Sequence, residues 1–390
     1  MKAIINAELV MRDHLIPEAV LLIEDGKIVG FGEMRTTSIP SDCEIIDACG
    51  AYVGPGLVDI HCHSGTGVRF IHDPAKATQE HLLCGTTSIL ATPSTRGTVA
   101  EYVDQIERIR KAMESPEGAT IAGIYMEGPY INPGFGSVTA VAGPNQPRVF
   151  DPVPEDYEPL LAAGADLIRV WGLAPEREGL ERFVMAAKAA NPQVRFSVAH
   201  SEATPEDIEK FIPYGLCIGT HHTNATGTLQ KYPECRTPCV DEAVNYNDAI
   251  YAELISDSMG IHVDPYMQRL VRKIKGDDKI ILISDQTVHE PMLIPGLEHV
   301  TDLNFTISPK GYVDISGSKL TLNVACRNYM KHTGASIVDA FKVGSYNPSR
   351  AVGLTDRGEI REGLRADLIF VDIKMNVKTV MVSGEIVHQN

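Results

Sequence analysis

Basic residues are scarce in this sequence. Its 390 residues include 35 lysines and arginines against 51 aspartates and glutamates, which gives a formal net charge of −16. A surplus of negative charge repels phosphate backbones and anionic lipid surfaces, so we expect neither nucleic acid nor a membrane as a partner. An anionic small substrate would need a local cluster of His or Arg side chains.

Long apolar runs are also absent. No stretch approaches the roughly 20 apolar residues that cross a membrane. The charged residues Glu8, Arg12 and Asp13 interrupt the start of the chain, where a signal peptide needs an apolar core. The eight cysteines are scattered, which is typical of reduced thiols rather than of a disulfide framework. We therefore expect a cytoplasmic protein.

Short stretches of alternating apolar and polar residues open and close the chain. Within residues 1–52 such runs flank Asp25-Gly26, a dipeptide that favours a hairpin turn because both turn positions need positive φ. Similar runs occupy the carboxyl end. Each segment is too small to build its own core. We expect residues 1–52 and 356–390 to form one small β-sandwich domain.

Between residues 53 and 355, β-rich runs and helical patterns alternate eight times. The predicted strands are 57–60, 86–91, 120–126, 167–172, 194–199, 216–219, 250–255 and 279–283. The predicted helices are 75–83, 99–113, 155–162, 178–189, 208–211, 240–246, 266–274 and 320–332. Thr204-Pro205 and Asp264-Pro265 are typical helix starts. Such alternation requires a parallel sheet, and eight units close most naturally into a barrel. The predicted fold class is α/β, a (β/α)8 TIM barrel with the small β domain attached.

Side chains that bind metal ions recur at the carboxyl ends of these strands, where a barrel of this kind has its active site. His61 and His63 share one face of the first strand because side chains alternate along a strand. Later strands end at Glu127, His200, His221 and Asp285, and His262 follows the seventh strand. Taken singly, each has an ordinary explanation as a core, capping or surface residue. Their recurrence at one end of strand after strand favours a metal centre.

Nitrogen and oxygen ligands without thiolates suit Zn²⁺, Fe²⁺, Mn²⁺ or Co²⁺, and a site rich in imidazole favours Zn²⁺. Because the Glu127 carboxylate is able to bridge two ions, one or two ions are expected. A divalent ion lowers the pKa of bound water to about 7 and polarises a carbonyl, so the water becomes the nucleophile. Asp285 is then the natural general base and acid, which moves a proton from the water to the leaving nitrogen.

Several stretches of the chain carry a family resemblance. They are PGLVDIHCH, MEGP, GLAPE, AHSEA, THHTNA, GIH, ISDQT, SGSKLTLNVACRN and NPSRAVGLTDRGEIREGLRADLIFVD. Together they resemble the N-acetylglucosamine-6-phosphate deacetylases of the amidohydrolase superfamily, nearly from end to end. The resemblance implies a metal-dependent hydrolase that cleaves acetyl from an N-acetylated amino sugar phosphate.

The resemblance also implies two ligand sets. The principal metal would be bound by Glu127, His200 and His221. A second metal would be bound by His61, His63, Glu127 and Asp285. Asp285 would be the catalytic base and acid.

The substrate contacts implied by the resemblance lie in later loops. His262 would polarise the amide carbonyl or contact the phosphate side of the sugar. Asn224 and Ala225 would offer hydrogen bonds to the phosphate. Arg236 would bind the phosphate, in some members across a dimer interface, so a homodimer is expected. Arg is suited to bidentate phosphate binding.

One segment departs from the family pattern and keeps other hypotheses open. Residues 131–149 contain no histidine, whereas the family typically places a sugar-contacting histidine there. Gln286 also follows Asp285 where the family prefers a small residue. A different N-acyl or cyclic amide substrate is therefore the alternative, although the predicted strand 167–172 lacks the carboxylated lysine of many such enzymes. The third hypothesis is a metal-free structural barrel, which the retained metal-ligand residues disfavour.

Overall fold

The computed structural model covers residues 1–390 and describes all of them except 94–96, 136–150, 228–230, 233–234, 289–291, 293 and 308–312. The side chains at positions 231, 232, 236, 307 and 314 also lie outside the description. The described residues form a mixed sheet and a parallel sheet, each of eight strands, and two short hairpins.

The mixed sheet begins with the amino-terminal segment. Its first strands are β1 (Lys2–Val10), β2 (Leu15–Glu24), β3 (Lys27–Glu33), β4 (Glu44–Asp47) and β5 (Tyr52–Pro55). β2 and β3 are joined at Asp25 and Gly26, whose φ angles are 50° and 74°. These positive angles are those that the Asp-Gly dipeptide predicts. β1 lies antiparallel to β2 and parallel to both β4 and β5.

The parallel sheet is the barrel. Its first six strands are β6 (Leu57–Cys62), β7 (Thr86–Ala91), β8 (Ile121–Met126), β9 (Ile168–Leu173), β10 (Arg195–Val198) and β11 (Leu216–Gly219). A hairpin of β12 (Lys231–Tyr232) and β13 (Cys235–Arg236) precedes the last two barrel strands, β14 (Tyr251–Leu254) and β15 (Ile280–Leu282). Consecutive barrel strands pair in parallel from β6 to β15.

Backbone hydrogen bonds join the two ends of the parallel sheet. The Asp285 N–H donates to the His61 carbonyl at 3.0 Å, and the His63 N–H donates to the Gln286 carbonyl at 2.8 Å. The segment after β15 therefore runs alongside the end of β6. This closes the barrel at the carboxyl ends of its strands, where the predicted site lies.

Helices follow the barrel strands. They are α1 (Pro74–Leu82), α2 (Val99–Met113), α3 (Pro154–Gly164), α4 (Leu180–Ala190), α5 (Pro205–Glu209), α6 (Val240–Tyr246), α7 (Pro265–Lys275), α8 (Leu322–Thr333), α9 (Ile337–Phe341) and α10 (Asn347–Ala351). Short 3₁₀ turns span Pro116–Gly118, Ile212–Tyr214 and Asp277–Lys279, and a π turn spans Lys342–Tyr346. Thr204 and Asp264 cap α5 and α7, as their sequence predicts.

The chain then returns to the mixed sheet. A hairpin of β16 (Leu303–Ile307) and β17 (Val313–Ser318) comes before α8, and the final strands are β18 (Leu368–Val371), β19 (Val377–Val382) and β20 (Glu385–Gln389). The order of the mixed sheet is β20-β19-β18-β5-β1-β2-β3, with β4 on β1. Both ends of the chain thus share one β unit beside the barrel, and the predicted fold class is confirmed. The domain bounds 1–52 with 356–390, and 53–355, stay a prediction.

Alternate residues of the barrel strands face different layers. On β14, Ala252 and Leu254 join the apolar cluster that lies between strands and helices. Val58, Tyr125 and Ile281 belong to a separate cluster inside the barrel. A strand buried on both faces is typical of a parallel sheet. The site therefore rests on a packed interior.

Within the described part of the chain, no helix is both long and apolar enough to span a membrane. None of the eight cysteines forms a disulfide.

Candidate metal centre

The six predicted metal ligands meet at the carboxyl end of the barrel. They form two groups, one of His61, His63 and Asp285 and the other of Glu127, His200 and His221. Within each group the ligand atoms lie within 4.8 Å of one another. All six residues lie at or just after the carboxyl ends of barrel strands. These strand ends share one edge of the barrel, so residues that are far apart in sequence come together there.

Glu127 connects the two groups. Its Oε1 lies 2.8 Å from His200 Nε2 and 3.3 Å from His221 Nε2. Its Oε2 lies 3.1 Å from His63 Nε2. A carboxylate with one oxygen toward each group has the geometry to serve both.

The histidines of β6 face Asp285 as well as Glu127. His61 Nε2 lies 3.7 Å from Glu127 Oε1 and 4.0 Å from Asp285 Oδ1. His63 Nε2 lies 3.5 Å from Asp285 Oδ1. Asp285 is 8% exposed, whereas His61 is fully buried.

Three of these residues have a left-handed backbone. The φ angles are 43° at His200, 27° at His221 and 45° at Asp285. Residues other than glycine rarely adopt such angles, which cost free energy unless the surrounding structure fixes them. The Ser318 N–H donates to the Asp285 carbonyl at 2.9 Å, and the Asn132 N–H donates to the His200 carbonyl at 3.0 Å. Strained turns held by long-range hydrogen bonds are typical of functional sites.

Hydrogen bonds behind the imidazoles fix which ring nitrogen faces the site. His221 Nδ1 lies 2.8 Å from the Asn224 carbonyl and His63 Nδ1 lies 3.3 Å from the Pro93 carbonyl. A carbonyl only accepts, so each Nδ1 is the donor and each Nε2 keeps a lone pair toward the ligand groups. His61 Nε2 is buried and has no hydrogen-bond partner among the described residues. A buried Nε2 lone pair without a hydrogen-bond partner, which faces the carboxylates of Glu127 and Asp285, is suited to binding a divalent cation.

Glu127 is the carboxylate whose pKa the centre shifts most clearly. Burial raises the pKa of Glu127, but the four histidines beside it lower it by more, so its pKa lies well below the usual range. Burial lowers the pKa of His200, which favours the neutral form that binds metals. Burial also lowers the pKa of His61 and His221, but the Glu127 carboxylate nearby, together with that of Glu253 for His61, raises both overall. Protons and a metal ion therefore compete for these imidazoles.

The predicted substrate residues differ in their contacts with the ligand groups. Asn224 contacts His221 directly, because its carbonyl accepts the hydrogen bond from His221 Nδ1. Ala225 is the next residue and has a φ of 51°. His262 belongs to neither ligand group; its backbone N–H donates to Asp257 Oδ2 at 2.8 Å and its Nδ1 lies 3.4 Å from the same oxygen. The backbone of Arg236 lies in β13.

Two sequence predictions cannot be placed. The side chain of Arg236 lies outside the described atoms. Of the divergent segment 131–149, only residues 131–135 are described, and the remainder lies outside the described residues.

Glu253, a buried carboxylate in the seventh barrel strand, was not among the predicted site residues. Its Oε2 lies 3.3 Å from His61 Nδ1 and accepts a hydrogen bond of 3.2 Å from the His221 N–H. The signal was present: an isolated glutamate inside the predicted strand 250–255. Because such a strand is buried on both faces, the sequence does not reveal which side chains point into the barrel.

Glu176, in the GLAPE stretch, has a structural role that was also not predicted from the sequence. Its Oε1 accepts hydrogen bonds from Asn132 Nδ2 at 2.8 Å and from the Glu202 N–H at 2.9 Å, and its Oε2 accepts one from Ser201 Oγ at 2.6 Å. This carboxylate therefore ties together the loops after β8, β9 and β10. The His200 turn is fixed by it from behind.

A barrel with His, Glu and Asp side chains at the carboxyl ends of its strands defines a class of metal-dependent hydrolases. The model of the Amidohydrolase family matches residues 52–387, and the chain belongs to this family. The assignment as an enzyme that hydrolyses an amide C–N bond is thereby confirmed.

Within this family, the chain is similar to deacetylases of amino sugar phosphates. The chain is 29% identical to the N-acetylglucosamine-6-phosphate deacetylase of Lysinibacillus sphaericus over 359 residues, 87% of each chain. It is 26% identical to the N-acetylgalactosamine-6-phosphate deacetylase of Escherichia coli O157:H7, with 94% of each chain covered. The crystal structure of the N-acetylglucosamine-6-phosphate deacetylase from Thermotoga maritima is similar over 100% of both chains, with 26% identity and a TM-score of 0.80. The resemblance drawn from the sequence is confirmed.

Proposed function

We propose that the protein is a metal-dependent amidohydrolase that removes acetyl from an N-acetylated amino sugar phosphate and releases acetate and the free amine. The observation that carries the proposal is the pair of ligand groups that meet on the two oxygens of Glu127. End-to-end similarity to deacetylases of two amino sugar phosphates supports the substrate class. N-acetylglucosamine 6-phosphate, the substrate in the name of the first of these relatives, is the first substrate to test.

Two ions fit the residues present. Glu127, His200 and His221 would hold the principal ion, and His61, His63, Glu127 and Asp285 the second. Because the donor set is imidazole and carboxylate without thiolate, Zn²⁺ is favoured over Fe²⁺, Mn²⁺ and Co²⁺. A bound divalent ion supplies an activated water at neutral pH and polarises the amide carbonyl.

Asp285 moves the proton in this proposal. Its carboxylate lies 3.5 Å from His63 Nε2 and keeps a small exposed fraction, so it accepts a proton from the attacking water and delivers it to the departing nitrogen. The left-handed backbone of Asp285 and the hydrogen bond from Ser318 hold the carboxylate in this position. His262, which Asp257 holds in place, orients the substrate at the acetyl carbonyl or toward the phosphate.

The loop that follows His221 binds the phosphate in this proposal. Asn224 and Ala225 offer hydrogen bonds there, and the Asn224 carbonyl couples this loop to the orientation of His221. Arg236 binds the phosphate from the β12–β13 hairpin, in a homodimer in which it reaches the neighbouring protomer. We place the enzyme in the cytoplasm, which its acidic composition and unpaired cysteines support.

Acetate release tests the proposed substrate. We expect turnover of N-acetylglucosamine 6-phosphate or its galactosamine epimer, and little turnover of unphosphorylated N-acetylglucosamine. Metal content is determined on the same preparation by elemental analysis. A metal-loaded protein that releases acetate from none of the three sugars would contradict the proposal and direct the search to other N-acyl or cyclic amides.

The variant Arg236→Ala tests phosphate binding. Hydrogen bonds to a charged group contribute about 1.5–3 kcal/mol, so KM for the phosphorylated sugar should rise about 10- to 100-fold. KM for the unphosphorylated sugar should stay unchanged. Arg108→Ala is the matched control, since Arg108 lies on the surface of α2 in an ion pair with Asp104 that contributes little. An equal effect of Arg236→Ala on both sugars would remove Arg236 from this role.

Mixed dimers test whether Arg236 acts across the interface. When Arg236→Ala and Asp285→Asn proteins are unfolded together and refolded, a hybrid dimer contains one site with both native residues. The assay uses substrate at or below the wild-type KM, where each variant alone has little activity. About a quarter of wild-type activity should then return in the mixture. Activity no higher than the mean of the two variants would place Arg236 in its own protomer's site.

A further inference from the structure

Glu253 is a charged residue in an apolar layer. It lies on β14 between Ala252 and Leu254, which pack against the helices, so its side chain points into the barrel. It is 0% exposed, and the apolar residues Ile218 and Ile281 of neighbouring strands line the same interior. A buried carboxylate is costly unless a partner compensates its charge.

The partner is the imidazole of His61. Glu253 Oε2 lies 3.3 Å from His61 Nδ1, and an ionised carboxylate only accepts hydrogen bonds. His61 Nδ1 therefore carries the proton, which leaves the lone pair on Nε2. That Nε2 is the buried atom with no hydrogen-bond partner among the described residues, and it faces Glu127 and Asp285.

A second contact fixes the plane of the same ring. His61 stacks on Tyr125 with ring centroids 4.7 Å apart and an interplanar angle of 18°. Stacking defines the plane of the imidazole but not which nitrogen points to the site. The hydrogen bond to Glu253 supplies that missing constraint.

Glu253 contacts the other ligand group only through the backbone. The His221 N–H donates to its Oε2 at 3.2 Å, while the His221 ring is oriented by the Asn224 carbonyl. The other oxygen of Glu253, Oε1, is buried without a hydrogen-bond partner among the described residues. The carboxylate thus contacts the imidazole of His61 but only the main chain of His221.

We propose that Glu253 is a positioning residue that orients His61 through Nδ1 and thereby sets the affinity of the second metal position, formed by His61, His63, Glu127 and Asp285. Loss of Glu253 should leave the metal affinity of the principal position, formed by Glu127, His200 and His221, unchanged. This inference rests on the two-ion centre of the proposed function. A carboxylate behind a ligating histidine raises the basicity of the histidine, and its loss typically weakens metal binding about 10- to 100-fold.

The test is a metal titration of the purified full chain. Wild type, Glu253→Gln and Glu253→Leu are stripped of metal and equilibrated with Zn²⁺, and bound ion per chain is measured by equilibrium dialysis with elemental analysis. We expect one of two ions to bind about 10- to 100-fold more weakly in Glu253→Leu. In Glu253→Gln the amide oxygen still accepts from His61, so the weakening should be smaller.

Ser349→Ala is the matched control. Ser349 is also fully buried, and its hydroxyl donates to the Ser345 carbonyl at 2.7 Å, but it contacts neither His61 nor Tyr125. Its loss removes a buried hydrogen bond without changing His61, so both ions should bind as in wild type. Circular dichroism establishes that each variant is folded, and Glu253→Gln, which keeps the shape of the side chain, carries the test if Glu253→Leu does not fold.

Several outcomes would overturn the inference. Wild-type affinity for both ions in both Glu253 variants would do so, as would equal weakening of the two ions or a wild-type protein that binds a single ion. Acetate release is not needed for this decision. Failure to deacetylate amino sugar phosphates would contradict the proposed function while the metal titration still decides the role of Glu253.

Discussion

Asp285→Asn should lower acetate release by about 10²- to 10⁴-fold, the usual contribution of a general acid–base residue. The amide has nearly the same shape but does not accept the proton of the attacking water. The principal ligand group contains no atom of Asp285, so the ion held by Glu127, His200 and His221 should remain bound. Turnover under saturating substrate and metal content per chain are the two measurements.

Asp264→Asn is the control for this substitution. Asp264 caps α7 by accepting a hydrogen bond from the Tyr266 N–H at 2.7 Å, so the variant makes the same chemical change away from the ligand groups. It should keep wild-type turnover. Full activity of Asp285→Asn with metal bound would show that Asp285 does not transfer the proton.

The second large effect is expected for Glu127→Ala, which removes the carboxylate that both groups share. Four imidazoles then lose their common negative charge, and each ligand group loses an oxygen donor. Metal content should fall to less than one ion per chain. Metal assistance contributes several kcal/mol to the transition state, so turnover should fall by about 10³-fold or more.

Thermal unfolding gives an independent measure of the same change. A ligand that binds only the folded state stabilises it by about 2.7 kcal/mol at 100 times its Kd. Added Zn²⁺ should therefore raise Tm for wild type but not for Glu127→Ala. Glu101→Gln, in the capping box of α2, is the control and should respond to Zn²⁺ as wild type does. Two ions retained by Glu127→Ala would show that the groups do not depend on their shared carboxylate.

Much of the barrel could be predicted because its signals are local. The helix predicted at 99–113 is α2 (Val99–Met113), and the strand predicted at 86–91 is β7 (Thr86–Ala91). The helix predicted at 208–211 was displaced, since five residues are too few for a periodic pattern. Its capping residue Thr204 located the start correctly, because a cap is a hydrogen bond within a few residues of sequence.

Other features depend on contacts between distant segments. The parallel pairing of β1 with β4 and β5 and the two short hairpins have no signature of their own in the sequence. In the centre, strand ends predicted which residues would meet, and the resemblance placed Glu127 in both ligand sets. The distances from Glu127 to the two groups follow only from the closed barrel. Glu253 escaped notice for the same reason, since its partner His61 is 192 residues away.

The most direct measurement is acetate release from N-acetylglucosamine 6-phosphate by protein that has been stripped of metal and titrated with Zn²⁺. We predict no release by the stripped protein and recovery in proportion to the ion bound at the centre. Equal release before and after stripping, with no metal on the active protein, would contradict a metal-dependent deacetylase.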